Sequence, residues 1–294
     1  MAPMLRPLVY RFIPERARIK DQWTKGRKRV MASMRERQEK GGNLEDPPTM
    51  LDHLSNGRNE HIADDVELQL LHQMTLIAVG TVTTFSSTTQ AIYDLVAHPE
   101  YITILREEVE SVPRDPNGNF TKDSTVAMDK LDSFLKESQR FNSPDLSMSN
   151  LKNYKLCESL TGHSNLPTRT IADMKLPDGT FVPKGTKLEI NTCSIHKDHK
   201  LYENPEQFDG LRFHKWRKAP GKEKRYMYSS SGTDDLSWGF GRHACPGRYL
   251  SAINIKLIMA ELLMNYDIKL PDGLSRPKNI EFEVLASLNA CANA

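Results

Sequence analysis

The densest chemistry in this chain lies around one cysteine. Residues 238–248 read Trp238-Gly239-Phe240-Gly241-Arg242-His243-Ala244-Cys245-Pro246-Gly247-Arg248. Glycines at 239, 241 and 247 permit a tight turn and let the backbone approach a flat ligand closely. Pro246 suits the first position of a helix, which would make Cys245 its cap. A thiol there faces the positive end of the helix dipole and several free N–H groups, an environment that favours the thiolate. A thiolate held in that way is a good soft ligand for iron. Arg242 and His243 carry donors that can hold carboxylates. The same residues also read as a lone buried cysteine behind a glycine loop.

Three further groupings carry possible chemistry. Glu137 and Arg140, three apart in Lys136-Glu137-Ser138-Gln139-Arg140, can pair on a helix face, although that spacing alone describes many surface ion pairs. The run Val79-Gly80-Thr81-Val82-Thr83-Thr84 places a glycine and hydroxyls mid-helix, where they can loosen the backbone ladder. It reads equally as a helix of packed β-branched residues. Cys193, His196 and His199 have the C-x2-H-x2-H spacing of a zinc site, but no fourth ligand follows at a suitable distance.

The elements that must position these groups are mostly helical. Residues 1–40 contain few breakers after Pro14 and read as helix; residues 41–60, rich in Gly, Pro, Asn and Asp, read as loop. Asp64 and Asp65 suit the start of a helix near Ile62, with Val66, Leu70, Met74 and Ile77 as its apolar positions. Five threonines and two serines between Gly80 and Thr89 favour strand by propensity. The helical pattern resumes at Ala91, so one long helix with a weak centre is expected to end before Pro99. Helices follow over Glu100–Val112 and from about Met128 to Phe141. Ser143–Pro167 is polar and patternless. Leu176–Ile190 resembles paired short strands around Pro177-Asp178-Gly179 and Pro183-Lys184-Gly185. Residues 201–237 show little periodicity. Beyond Pro246, Leu250, Ile253, Leu257, Ala260 and Met264 recur at helical spacing. The fold class is mainly α with minor β, and no internal repeat is present.

Composition bounds the function. The 294 residues hold 40 basic and 38 acidic side chains, a net charge of +2, which points to no polyanionic partner and no nucleic acid. Arg16, Arg18, Lys20, Lys25, Arg27, Lys28 and Arg29 form a locally basic run that could serve as a nucleic-acid arm. With Glu15, Asp21, Glu36 and Glu39 interspersed, it also reads as a solvated helix face. Four cysteines, at 157, 193, 245 and 291, are too scattered for a disulfide framework and suggest a reducing compartment. The most apolar stretch, Met74–Val82, is interrupted by polar residues and too short to span a bilayer, and the N-terminus lacks the apolar core of a signal peptide.

Residues 238–247 resemble the signature of the cytochrome P450 family: an aromatic, two residues, Gly, one residue, a basic residue, one residue, Cys, one residue, Gly. Trp238 stands for the usual Phe and His243 for the usual Arg. Glu137 and Arg140 match the family's helix pair, and Arg212 matches the later arginine that joins it, with Gly210 where proline is more usual. Val79–Thr84 is similar to the centre of the family's long helix over the oxygen-binding face, with Val82 in place of an acid.

The resemblance implies that Cys245 ligates the iron of haem b, with Trp238, Phe240, Gly241 and Gly247 shaping its loop and His243, aided by Arg242, anchoring propionates. Gly80 would make room for dioxygen and Thr83 would assist protonation. Glu137, Arg140 and Arg212 would hold the scaffold. The implied reaction inserts one atom of dioxygen into a small apolar, terpenoid-like substrate of fungal secondary metabolism. Electrons would come from NADPH through cytochrome P450 reductase, and the thiolate would favour O–O cleavage. The family works at the cytoplasmic face of the endoplasmic reticulum membrane, and this chain is expected to lack the anchor. Residues 1–294 then form a partial domain, the C-terminal part of the fold, with its N-terminal part missing. Residues 148–168 form an atypical polar insertion, read as translated intron or otherwise non-native sequence. Two other functions remain open: a truncated, inactive haem-thiolate fragment, and a haem-thiolate isomerase or dehydratase, which Val82 permits.

Overall fold

The computed structural model describes residues 15–39, 48–142, 168–188, 192–241, 244–282 and 285–288. They divide into two compact units, residues 1–81 and 82–294.

In the first unit α1 (Glu15–Glu39) precedes α2 (Met50–Ser55), a 3-10 turn (Gly57–Ile62) and the first half of α3 (Val66–Ala97). The loop expected over residues 41–60 therefore holds a helix in its second half. Thr49 and Asp52 start it with a capping box, each side chain accepting the other's backbone N–H. Asp65 accepts from the N–H groups of Glu67 and Leu68 at 3.0 Å, so α3 starts at Val66, later than the expected Ile62. The buried Gln69 amide donates to the Leu54 carbonyl at 2.9 Å and ties α3 to α2. The basic run of α1 is a solvated face, with Lys25 paired to Asp21 at 2.7 Å and Arg27 to Glu67.

The second unit is built around α6 (Asp129–Phe141). The second half of α3, α4 (Glu100–Ser111), α5 (Lys122–Ala127) and α9 (Arg248–Asn265) surround it. Leu95, Leu105, Val109, Met128, Leu131, Phe134, Ile255 and Met259 are fully buried in one apolar cluster. Pro99 leads into α4 as expected. Short antiparallel pairs join β1 (Thr168–Arg169) to β4 (Lys187–Leu188) and β2 (Met174–Lys175) to β3 (Phe181–Val182). Gly179 at φ +88° and Gly185 at φ +84° take the left-handed turns that the two Pro-x-Gly runs predicted. Two short helices follow, α7 (Thr192–His196) and α8 (Arg212–Arg217), the second within the stretch that shows little periodicity, and β5 (Asn279–Phe282) pairs with β6 (Leu285–Leu288). The mainly α, minor β reading holds.

The inward face of α9 differs from the apolar spacing. Ala252, Ile255, Lys256, Met259, Ala260 and Leu263 are buried, while Leu250 is 65% exposed. The reason is Lys256, which points into the core and donates to Asp132 Oδ1 at 2.6 Å and to the Thr125 carbonyl at 2.9 Å. A pattern that counts only apolar residues cannot see a lysine that helps define the core face.

No described helix is long and apolar enough to cross a membrane.

Candidate functional site

Every residue of α6 from Leu131 to Arg140 is buried, and its charges are met both within the helix and by partners far along the chain. Glu137, 0% exposed, accepts from Arg140 Nε and Nη2 at 2.9 Å and from Arg212 Nε at 3.2 Å. It also accepts the Asp209 N–H at 3.0 Å. Arg140 spends its remaining donors on the carbonyls of His196 and Pro205, at 2.7 and 2.8 Å. Arg212 reaches the Gln207 carbonyl at 2.8 Å. The three residues singled out in the sequence thus form one buried cluster, which stitches the irregular chain between α7 and α8 onto α6.

Asp132 makes a second cluster on the same helix. It accepts from Arg217 Nη1 at 2.6 Å, Lys256 Nζ at 2.6 Å and the Tyr228 N–H at 2.8 Å. Burial alone would raise its carboxyl, but the two cations hold it below the ordinary range. A third cluster joins Lys136, Asp235 and His196. Sequence reasoning missed both clusters. The available signal was charge at inward positions of an amphipathic helix, unusual unless partners exist.

The cysteine loop hangs from these anchors. Trp238 packs its ring edge-on against Tyr228, centroids 5.5 Å apart, and its Nε1 donates to the Tyr228 carbonyl at 2.6 Å. The Trp238 carbonyl accepts the Cys245 N–H at 2.7 Å and closes the loop. Gly239 (φ +74°) and Gly241 (φ +61°) lie in the left-handed region, which explains glycine at both. Cys245 is half-buried with a free thiol, and its carbonyl accepts from Arg248 Nη1 at 2.7 Å.

Helix α9 has Gly247 as its cap, whose carbonyl takes the Ser251 N–H at 2.9 Å. Cys245 therefore stands two residues before the cap, where the sequence had placed it at the cap with Pro246 as the first helical residue. Pro246 and Gly247 form a turn between thiol and helix. A Cβ at 247 would stand 4.0 Å from Cys245 Sγ, ordinary contact distance. Phe240, Tyr249 and Leu250, which flank the cysteine in sequence, are 47%, 58% and 65% exposed. Arg242 and His243 lie outside the described residues, as does the stretch 148–167.

Helix α3 runs unbroken through Gly80, Thr83 and Thr84. Its hydroxyls are absorbed locally: Thr75, Thr88 and Thr89 donate to carbonyls four residues earlier at 2.7–2.8 Å. Thr84 Oγ1 and Ser251 Oγ, 3.2 Å apart, join α3 to α9 six residues past the cysteine, and Thr83 beside it is half-buried. Gly80 belongs to the first unit, and a Cβ there would meet nothing within 4 Å. Of the zinc triplet, His196 is engaged with Asp235, and the side chain of Cys193 is outside the described set. Among the described residues no group of three or more His, Cys, Asp or Glu is placed to hold a metal ion.

A family model described as Cytochrome P450 matches residues 1–152 and 159–290. This chain belongs to the cytochrome P450 family. Curated relatives agree. Cytochrome P450 monooxygenase ascG of Acremonium egyptiacum is 38% identical over 254 residues, 78% of this chain and 44% of that protein. Cytochrome P450 monooxygenase BOA4 of Botryotinia fuckeliana is 33% identical over 285 residues, 96% of this chain and 54% of that protein. Cytochrome P450 monooxygenase braC of Annulohypoxylon truncatum is 31% identical over 289 residues, again 96% and 54%. The chain spans about half the length of these relatives.

The family's haem iron suits this P450 loop on the chemistry of its donors. Cys245 offers a single free thiol, its backbone is fixed by Trp238, and the residues beside it in sequence expose apolar rings and a leucine.

Proposed function

We propose that this chain carries the haem-thiolate part of a monooxygenase acting on a small apolar, terpenoid-like secondary metabolite. The observation that carries the reading is the free thiol of Cys245 in a closed loop, anchored through the Cys245 N–H to the Trp238 carbonyl at 2.7 Å. Bound haem supplies the redox chemistry of dioxygen cleavage, which no side chain of this protein provides. NADPH, through a cytochrome P450 reductase, gives two electrons. One oxygen atom enters a substrate C–H bond as hydroxyl, and the other leaves as water with two protons.

The residues have separate tasks in this reading. Cys245 holds the iron. Trp238 and Phe240 shape the loop that presents the thiol. His243, with Arg242, pairs with propionates; Gly241 and Gly247 keep the backbone low. The Thr83 hydroxyl holds a proton at the oxygen side of α3, where Gly80 leaves space. The whole protein works at the endoplasmic reticulum membrane. We read residues 148–168 as an insertion in the family's domain, of which the family match leaves out residues 153–158. Mature message that retains those codons in every copy would overturn it.

The deciding experiment is the carbon monoxide difference spectrum of the reduced, haem-supplemented chain. A strongly red-shifted carbonyl band that disappears in Cys245→Ser is the expected result. Haem uptake without that band, or the same band in the variant, would remove Cys245 from its role.

A further inference from the structure

The chain between α8 and α9 has almost no regular structure, yet it must present one thiol in one pose. One of its buried anchors is Asp235. The side chains of Lys136 and Asp235 are only 2% and 11% exposed, and Lys136 Nζ donates to Asp235 Oδ2. Asp235 Oδ1 accepts the Ser237 N–H at 3.0 Å and the Ser237 hydroxyl at 2.7 Å, and faces His196 Nε2 at 3.4 Å. The backbones of Gly232 and Asp235 exchange hydrogen bonds of 2.9 and 3.2 Å. One carboxylate thus ties the start of the loop to α6, to α7 and to its own turn.

From there the path to the thiol is short. Ser237 is joined by a peptide bond to Trp238, whose carbonyl takes the Cys245 N–H. On the other side, Lys136 precedes Glu137, and the His196 carbonyl is held by Arg140 Nη1 at 2.7 Å. The buried glutamate–arginine cluster therefore reaches the cysteine through Lys136, His196 and Asp235. A buried ion pair is a poor source of net stability, because desolvation offsets most of its attraction. Its demand for one partner geometry suits it instead to fixing a loop in a single arrangement.

We propose that Asp235 is the positioning residue of the cysteine loop, its carboxylate clamped between Lys136 and Ser237 so that Trp238 holds Cys245 in its ligating pose. The purpose of that pose rests on the haem-thiolate reading; the clamp itself does not. Burial alone would raise the Asp235 carboxyl, yet Lys136 and His196 keep it well below the ordinary carboxylate range, so the clamp is charged at neutral pH.

Amide hydrogen exchange on the full chain without haem tests the clamp. Asp235→Asn keeps an oxygen for Ser237 and removes the charge for Lys136. It should speed exchange across 236–247 by on the order of tenfold while α4 exchanges as before. Ser237→Ala, which leaves no buried charge unpaired, should show the same pattern with a smaller factor and decides the matter if Asp235→Asn does not fold. Asp94→Asn, at another buried acid whose partners are Ser138, Asn142 and Arg276, should leave the loop slow. Equal acceleration of loop and α4, an unchanged loop, or an equally fast loop in Asp94→Asn would each overturn the proposal. With haem added, Asp235→Asn should convert part of the red-shifted carbonyl band to the unshifted form. A wild-type chain without that band would defeat the haem reading and leave the exchange result to judge the clamp.

Discussion

Between Leu131 and Arg140 every residue of α6 is buried, whereas Phe240, Tyr249 and Leu250, which flank Cys245 in sequence, stand open to solvent. The helix buries lysine, arginine, aspartate and glutamate and answers each from within the chain: Glu137 with two guanidiniums, Asp132 with Arg217 and Lys256, Lys136 with Asp235. The loop uses backbone hydrogen bonds and left-handed glycines, and leaves apolar groups uncovered. The helix meets its charges from within the chain, although the buried Gln139 amide has no hydrogen-bond partner among the described residues. The other region exposes Phe240, Tyr249 and Leu250, the sequence neighbours of its thiol. Changes in α6 should therefore fall on stability, and changes at the thiol should fall on ligand chemistry alone.

The largest effect should come from Glu137→Ala. It strands the Arg140 and Arg212 guanidiniums, 3% and 6% exposed, without their anion. Leaving such charges unpaired costs about 3–5 kcal/mol, a large fraction of a domain's stability. Urea unfolding should show a collapsed midpoint or no cooperative transition. A loss below about 1 kcal/mol would mean that the cluster is not the scaffold's fastening, and the contrast with the loop would fail.

Next in size is Gly210, where the family more often has proline. A Cβ there would lie 2.8 Å from Phe134 Cδ2 and 3.1 Å from Tyr101 Cε1, and the Gly210 N–H donates to the Tyr101 hydroxyl at 3.1 Å. Proline would collide with both rings and delete the donor. Gly210→Pro should cost about 1–3 kcal/mol, read as a fall in Tm. An unchanged Tm would show that the rings yield freely, which would soften the picture of α6 as a rigid hub.

The buried acids should sort themselves by pH. Asp132 and Asp235 have folded values below their unfolded ones, so the stability they contribute is present above the ordinary carboxylate range and is lost as pH falls toward their depressed values. Asp94 runs the other way: burial raises it despite Arg276 and Ser138, so acidification first relieves a penalty as it protonates in the fold. Asp132→Asn should flatten the acid-unfolding limb below pH ~4, whereas Asp94→Asn should remove a gain on mild acidification. Identical acid profiles for both variants would erase the distinction.

The parts legible in the sequence were those whose partners are close or whose spacing is a motif. Glu137 and Arg140 are one helical turn apart, Arg212 lies in a family pattern, and the glycines around Cys245 announce a turn. The apolar period of α3, and the helices expected over 100–112 and from about 128 to 141, matched the observed elements to within a few residues. Short helices escaped because their signals are caps: Thr49 with Asp52 starts α2, and Thr121 with Ser124 starts α5. The buried charges escaped for a different reason. Lys136 and Asp235 are 99 residues apart, and nothing local to either says that the other exists. Helix α9 shows the consequence, since its core face turns on Lys256 and Asp132 as much as on its leucines.

The smallest effect on stability should come from the residue with the largest effect on chemistry. Cys245 is half-buried, its thiol is free, and its bonds to Trp238 and Arg248 run through its own N–H and carbonyl. Cys245→Ser keeps both backbone bonds and nearly the same volume, so the unfolding free energy should change by no more than about 0.5 kcal/mol. Haem added to the variant should give no red-shifted carbonyl band, because serine lacks the soft sulfur donor on which that band depends. Differential scanning calorimetry on the two chains without haem, with carbonyl spectra after haem, separates the readouts. A serine variant that unfolds several degrees early would make the thiol part of the scaffold. Equal Tm and a lost band would place the boundary between frame and site just after Trp238, whose side chain is tied back to Tyr228.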